Sequence, residues 1–315
     1  MRAVRYKVIV NPIAGRGFGG RSLPKIEHLL TEQGIDFDLV TTSWAGEAIE
    51  LARAAVLDGY ETVVAAGGDG TSQEVANGMM AAYASRNGEP VGNLGVLPVG
   101  SGSDFAWSMG IPFDLEEACA RLAQQRTKTI DLAKLIIDSP SRGQETRYFG
   151  NTMGIGFEGV AMVEGRKFKR LRGLALYLPL VLKTIFLSLS PVRSLIEYRT
   201  ANGTKRLEGD FMMIDICNGP RAGGSFLIDP NAKNDDGLLN LCVIGEMSRP
   251  KMLTFVPHFL KGTHIYRPEV TLVQGRHVVV TSEDDLIAHA DGEVVCTDAH
   301  RIECQVMPSK IRVVC

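Results

Sequence analysis

Several classes of function are excluded by what the chain does not have. There is no excess of basic charge: 34 Lys and Arg stand against 36 Asp and Glu, a net charge of −2. No global positive field therefore points to nucleic acid. The six cysteines (Cys119, Cys217, Cys242, Cys296, Cys304, Cys315) fall without CxxC or CxH spacing. That argues against a zinc site or a disulfide framework and leaves buried or free thiols. The opening MRAVRYKVIVNP lacks the long apolar core and small-residue cleavage site of a signal peptide, so a cytoplasmic protein is expected. The chain carries no internal repeat and no low-complexity linker. Long apolar runs are scarce too. The one that stands out is LALYLPLVLKTIFLSLS, Leu174 to Ser190, interrupted by Pro179 and Lys183. It is short for a membrane span, which needs about 20 residues. The basic stretch GRKFKRLRG precedes it, with Arg166, Lys167, Lys169, Arg170 and Arg172. Three readings stay open: a core or interface helix with a solvated lead-in, peripheral contact with an anionic membrane surface, or a short span.

The chain is 315 residues long and 45% hydrophobic, enough for a large core and for more than one domain. Up to about residue 130, strand and helix signals alternate. KVIVNP reads as a first buried strand, and FDLVTT, ETVVAA and LGVLPVG as the strands that follow it. Helices are expected over Ser22–Gln33, with Gly34 as a stop, over Gly46–Leu57 and over Thr71–Tyr83. This alternation predicts an α/β domain, a parallel sheet flanked by helices. From about Asp131 the texture changes to short β-type runs such as DFMMIDICNG, GLLNLCVIG and EVTLVQGRHVVVTS, with helical interruptions near Glu158–Ser190 and Lys251–Leu260. A mainly β sandwich is expected there. The domains are thus 1–130 and 131–315, with about the last ten residues returning to the first.

Chemistry is concentrated in glycine-rich loops. The strand VVAA delivers its C-terminal end to Gly67-Gly68-Asp69-Gly70-Thr71, at the rim where open α/β sheets bind ligands. Glycines allow a tight turn and close approach of the backbone. Thr71 is a candidate N-cap with Glu74 as its capping-box partner. A helix N-terminus at such a loop suits a phosphate. Asp69 would repel phosphate unless a divalent cation lies between them or the carboxylate meets a hydroxyl. VNPIAGRG places a second glycine-rich turn after the first strand. LPVGSGSDFA places a third after the fourth, with Ser101 and Asp104. Three such loops from parallel strands would converge on one sheet edge. This is not the Walker pattern, for no GxxxxGK[ST] occurs in the chain, and the dinucleotide fingerprint GxGxxG within a βαβ unit is not expected either.

GGDGT, the early Asn11-Pro12, LPxGSxSDFA, KNDDGLL and the late Asp291-Gly292-Glu293 occur in this order. Together they resemble the diacylglycerol kinase catalytic family, most of all its bacterial soluble lipid kinases, with sphingosine and ceramide kinases as relatives. GGDGT alone is shared with NAD kinases and, loosely, with phosphofructokinases. The resemblance implies an NAD kinase/phosphofructokinase-like first domain and an ATP- and magnesium-dependent kinase acting on a lipid hydroxyl. It implies that Gly67, Gly68, Asp69, Gly70, Thr71, Ser72 and Gln73 wrap the nucleotide phosphates. Asn11, Thr42, Ser101 and Asp104 would also line that site. Asp69 and Asp104 would serve magnesium or its water. Asp236, with the carbonyls of Lys233 and Leu238, would hold a divalent ion, in keeping with hard-cation chemistry. Asp291 matches the family's proton acceptor. Glu293, two residues on, would share its side if the stretch is extended. His289 is expected to be structural or superficial. Gly223–Ala232 is a candidate acyl entrance. The rival readings are a soluble NAD-type kinase and a non-catalytic lipid-binding protein. The sequence leaves open the lipid, ATP against GTP, and a homodimer.

Overall fold

The structure is a computed structural model and describes residues 5–165, 180–188 and 190–315. Two compact units emerge, residues 1–130 with 309–315, and residues 131–308.

Apolar runs build the first unit. Strands β1 (Arg5–Val10), β2 (Asp36–Thr41), β3 (Thr62–Gly67) and β4 (Asn93–Pro98) pair in parallel in the order β2-β1-β3-β4. Every residue of β3 is buried, as expected of a parallel strand covered on both faces. The helices are α1 (Ala14–Glu32), α2 (Glu47–Leu57), α3 (Asp69–Ser85), α4 (Asp104–Ser108) and α5 (Leu115–Gln124). α2 packs on α3, and α1 on α5. At the start of α5 the Asp114 carboxylate accepts the N–H groups of Glu116 and Glu117, satisfying donors that a helix N-terminus leaves unpaired. α1 begins earlier than its sequence signal, but Gly15, Arg16 and Gly17 take φ of 55°, 58° and 83°. Its first turn is therefore a left-handed loop and the regular helix follows it. The path turns back at β1: β2 lies on one side and β3 on the other. That is a topological switch point, where open α/β sheets hold ligands beyond the strand C-termini.

The second unit is antiparallel. Its strands are β5 (Thr127–Ser139, from residue 131), β6 (Gly143–Phe149), β7 (Thr152–Gly156), β8 (Val192–Thr200), β9 (Gly203–Cys217), β10 (Arg221–Ala222), β11 (Phe226–Leu227), β12 (Leu239–Gly245), β13 (Val270–Gly275), β14 (His277–Ala290) and β15 (Glu293–Val314). Helices α6 (Phe157–Gly165) and α7 (Arg249–Lys261) interrupt them. Two long strands change partners midway. β9 pairs with β8 in its first half and with β7 and β12 in its second. β14 pairs with β8 and then with β7. The split folds the strands over one core that includes Phe149, Ile155, Ile196, Ile214, Val280 and Ile302. A second apolar cluster, with Met213, Ile228, Ile244, Met252 and Phe255, lies against β9 and α7.

Five of the six cysteines are buried and all six are free thiols. The basic stretch Arg166–Arg172 and the first part of the apolar run lie outside the described residues. Of the rest of that run, Leu180, Val181 and Ile185 are buried. Among the described residues no helix is long and apolar enough to cross a membrane.

Candidate active site

In the first unit the three loops touch one another. The Asn11 amide donates to the Thr71 hydroxyl at 3.1 Å, tying the loop after β1 to that after β3. A Cβ on Gly100 would stand 2.3 Å from the Gly68 Cα, so only glycine lets these two backbones meet. A Cβ on Gly15 would stand 2.7 Å from the Val99 carbonyl oxygen, joining the first loop to the third. Thr42 is buried beside them, its N–H donating to Val10 O at 2.9 Å. Ser72 and Gln73 are buried in the first turn of α3, while Ser101 is exposed. Asn11, Thr42, Gly67–Gln73, Ser101 and Asp104 thus gather at the switch point.

Two expectations about the start of α3 are corrected. The N-cap of α3 is Gly68, not Thr71, and it offers no side chain. Glu74 closes no capping box: it accepts the Gly46 N–H at 3.0 Å, linking α3 to the start of α2. The Thr71 hydroxyl instead receives Asn11. The outcome suits an anion better than the expected cap does, because no N-cap side chain covers the first turn of α3. Asp69 also has work that the sequence reading did not give it. Its two oxygens accept the N–H groups of Asp104 (3.0 Å) and Phe105 (2.9 Å). It therefore fixes the N-terminus of α4 from the loop after β3. Gly15, Gly17 and Gly20 do spell GxGxxG after the first strand, against the expectation that no such fingerprint is present. The fingerprint's acidic partner is missing, for Thr41 and Thr42 stand at the end of β2.

In the second unit Asp291 and Gly292 form the turn between β14 and β15, with φ of 46° and 83° and Ala290 paired to Glu293. This is a two-residue hairpin with both central residues left-handed. The stretch is not extended, so the period-two argument for Asp291 and Glu293 fails. Glu293 is exposed at the start of β15. The Asp291 carboxylate accepts three backbone N–H groups, from Gly150 (2.8 Å), Asn151 (2.9 Å) and Thr152 (3.0 Å). Its N–H returns a bond to Thr152 O at 2.8 Å.

The NDDG segment is a loop before β12. Asp236 is exposed and accepts the Leu238 N–H at 3.0 Å. Asp131, almost fully buried, anchors the loop from below: its carboxylate accepts the Gly237 N–H, and its own N–H donates to Asn234 O, each at 2.7 Å. Lys233, Asp236 and Leu238 offer one carboxylate and two carbonyls on a shaped turn, an all-oxygen set that fits a hard cation. Among the described residues no group of three or more His, Cys, Asp and Glu is placed to hold a metal ion. Asp131 was not foreseen. Its one sequence signal is an acid at the entry of an apolar strand, in TIDLAKL.

An apolar cavity of about 60 Å³, partly open to solvent, lies within the second unit. Phe157, Met162, Met213, Phe226, Ile228 and Phe259 are among its walls, and Glu158 is the charged residue on it. Gly223, Phe226 and Ile228 come from the expected acyl-entrance segment.

Comparison with known proteins bears on this geometry. The family model of the diacylglycerol kinase catalytic domain matches residues 5–135, and that of the YegS C-terminal NAD kinase beta sandwich-like domain matches residues 152–315. The chain is 30% identical to a probable lipid kinase YegS-like of Xanthomonas euvesicatoria pv. vesicatoria, over 99% of this chain and 96% of that protein. It is 29% identical to a diacylglycerol kinase of Mycobacterium tuberculosis (strain H37Rv), over 93% and 89%. A diacylglycerol kinase crystal structure from Bacillus anthracis str. Sterne has the same fold, with a TM-score of 0.73 at 21% identity, over 100% of this chain and 97% of that one. The chain belongs to the diacylglycerol kinase catalytic family and is a lipid kinase.

Proposed function

We propose that this lipid kinase transfers the γ-phosphoryl group of ATP to the hydroxyl of a membrane lipid such as diacylglycerol or a sphingoid lipid. The observation that carries the reading is the mutual contact of the loops after β1, β3 and β4, with the N-terminus of α3 opening onto them. Backbone N–H groups there, aided by Asn11, Thr71 and Ser101, would bind the phosphates. Asp69 would hold α4 so that the third loop keeps its shape, with Asp104 beside it. Phosphoryl transfer depends mostly on position and charge, since its transition state is loose. The acceptor's proton still needs a base, and Asp291 is the candidate. Its three backbone bonds fix the carboxylate in one orientation, which is what a general base requires of its surroundings. A magnesium ion on the Lys233–Leu238 loop would supply fixed positive charge there. The apolar cavity offers a lining that suits an acyl chain, and contact of the Arg166–Arg172 stretch with an anionic surface would bring the enzyme to its substrate.

The test is turnover of labelled ATP against an extracted lipid pool, with the product identified by mass spectrometry. Asp291→Asn is expected to lower kcat by about 10²- to 10⁴-fold while nucleotide binding, measured by titration, stays at the wild-type value. Wild-type turnover in that variant would remove Asp291 from the mechanism. Phosphorylation of NAD in place of lipid would overturn the substrate class.

A further inference from the structure

Three ionisable side chains of the second unit meet on one face of Gly154. Glu158 Oε2 and Asp215 Oδ1 each lie 2.6 Å, and His289 Nε2 2.8 Å, from the point a Cβ on Gly154 would occupy. Only glycine at this position lets them converge. Asp215 and His289 are essentially inaccessible, and Glu158 is 13% exposed, on the wall of the apolar cavity.

The hydrogen bonds fix where the protons are. The Gly292 N–H donates to His289 Nδ1 at 3.3 Å. A backbone amide has only a proton to give, so Nδ1 carries a lone pair and the ring's hydrogen sits on Nε2. That Nε2–H then donates to Glu158 Oε2 at 2.8 Å. Asp215 is in the opposite condition. Among the described residues neither of its oxygens has a hydrogen-bond partner, and its neighbour is the Glu158 carboxylate. An ionised carboxylate there would be buried with nothing to stabilise it. Burial, and then the charge of Glu158, push the Asp215 pKa well above the usual carboxylate range. Asp215 therefore keeps its proton and turns it toward Glu158. Glu158 is the acceptor of both inward donors, and its remaining edge faces an otherwise greasy space.

We propose that Glu158 recognises the headgroup of the cavity's occupant, accepting a hydrogen bond from an O–H or N–H at the end of an apolar chain, and that Asp215 and His289 are positioning residues that hold it there. The inference rests on the reading of this cavity as the lipid site. An acceptor at the end of a dry cavity penalises any ligand that brings no donor, because the acceptor is then left unsatisfied. The ring of His289 also holds Gly292, the residue after Asp291, so headgroup recognition and the proposed base share one support.

The test is a direct binding measurement on the full chain without nucleotide. The probes are a diacylglycerol with a fluorescent acyl chain, the same lipid with its hydroxyl acetylated, and fluorescent sphingosine, all in detergent micelles. The free-hydroxyl probe is expected to bind about tenfold more tightly than the acetylated one. Asp215→Leu should lose most of that ratio, while Asp215→Asn, whose amide still donates to Glu158, should keep it. Glu158→Gln should reduce it. A role in packing alone predicts no change in the ratio for any of the three. Tighter binding of sphingosine would identify an ammonium as the preferred donor, and tighter binding of diacylglycerol a hydroxyl. Equal affinity for the free and acetylated lipids overturns the proposal. So does wild-type discrimination by Asp215→Leu or, should that variant not fold, by Glu158→Gln. Because binding is read without ATP, a protein that discriminates the lipids but transfers no phosphate would refute the proposed reaction and leave this inference standing.

Discussion

A carboxyl group that keeps its proton in the fold leaves a thermodynamic signature. In the unfolded chain Asp215 ionises near pH 3.9, as any aspartate does. In the folded chain burial and the Glu158 charge hold its pKa far higher. Between those two values the folded state binds the extra proton, so stability falls as pH rises. Asp215→Asn retains the shape and the donor but has no proton to lose. The stability difference, variant minus wild type, should be small near pH 4.5 and grow toward pH 8, at most by about 1.4 kcal/mol per pH unit. Urea titrations across that range measure it, and a flat difference would mean that Asp215 is ionised in the fold. His264 acts in the other direction. It is buried, its Nε2 lies 2.8 Å from Ile228 O, and burial lowers its pKa. Its contribution is lost as pH falls below about 6.5, but it is common to both proteins and cancels in the difference.

At the scale of elements, the hairpin between β14 and β15 is the most exposed to a single change. Gly292 has φ of 83° and nothing within 4 Å of an added Cβ. Gly292→Ala would therefore cost only backbone strain, about 1–2 kcal/mol. Any relief of that strain would shift Asp291 against the N–H groups of Gly150, Asn151 and Thr152. A fall in kcat smaller than that of Asp291→Asn, with unchanged nucleotide affinity, is the expected outcome of steady-state assays. Full activity would indicate that the three backbone bonds alone set the carboxylate. This same turn marks the limit of what local sequence conveys. Three of the four strands of the first unit were readable because each is an apolar run ended by glycine or proline; β2, DFDLVT, has neither feature and was readable from its place in the alternation of strand and helix. Their loops converge because parallel strands all end at one rim. The roles of single acids were harder to see. Asp69 was read toward a cation or a hydroxyl, and nothing local showed that it also serves N–H groups 35 and 36 residues further on. Thr71 and Glu74 matched a capping pattern, yet each found a better partner in a neighbouring segment. Glu158 and His289 are 131 residues apart, and only the long-range pairing of β7 with β14 brings them together. An aspartate inside MMIDIC was the one local hint of the buried cluster, since strand interiors reject a lone charge.

The molecule as a whole is two units joined by a chain that passes between them twice, at residues 130–131 and 308–309. The second passage is the more informative. β15 begins in the second unit, but its end belongs to the first, where Arg312 and Val313 pair in parallel with Asn93 and Leu94 of β4. Ile311, Val313 and Val314 are buried there at 1%, 0% and 2% exposure. Burying each such side chain contributes up to about 1.5–3 kcal/mol, so these few residues matter to a unit whose total stability is of the order of 10 kcal/mol. The β4 edge would also lose its hydrogen-bonding partner and stand open as an unpaired parallel strand. A chain ending at Pro308 should therefore lose stability in the first unit and not in the second. Calorimetry should resolve two transitions rather than one, with only the nucleotide-stabilised one moved to lower temperature. Limited proteolysis should cut first within residues 5–130. Nucleotide affinity should fall, because the loops after β3 and β4 depend on the sheet behind them, while binding of the fluorescent lipid to the second unit persists. Equal loss of both transitions on truncation would show that the two units fold as one, and that the last strand supports the second unit as much as the first.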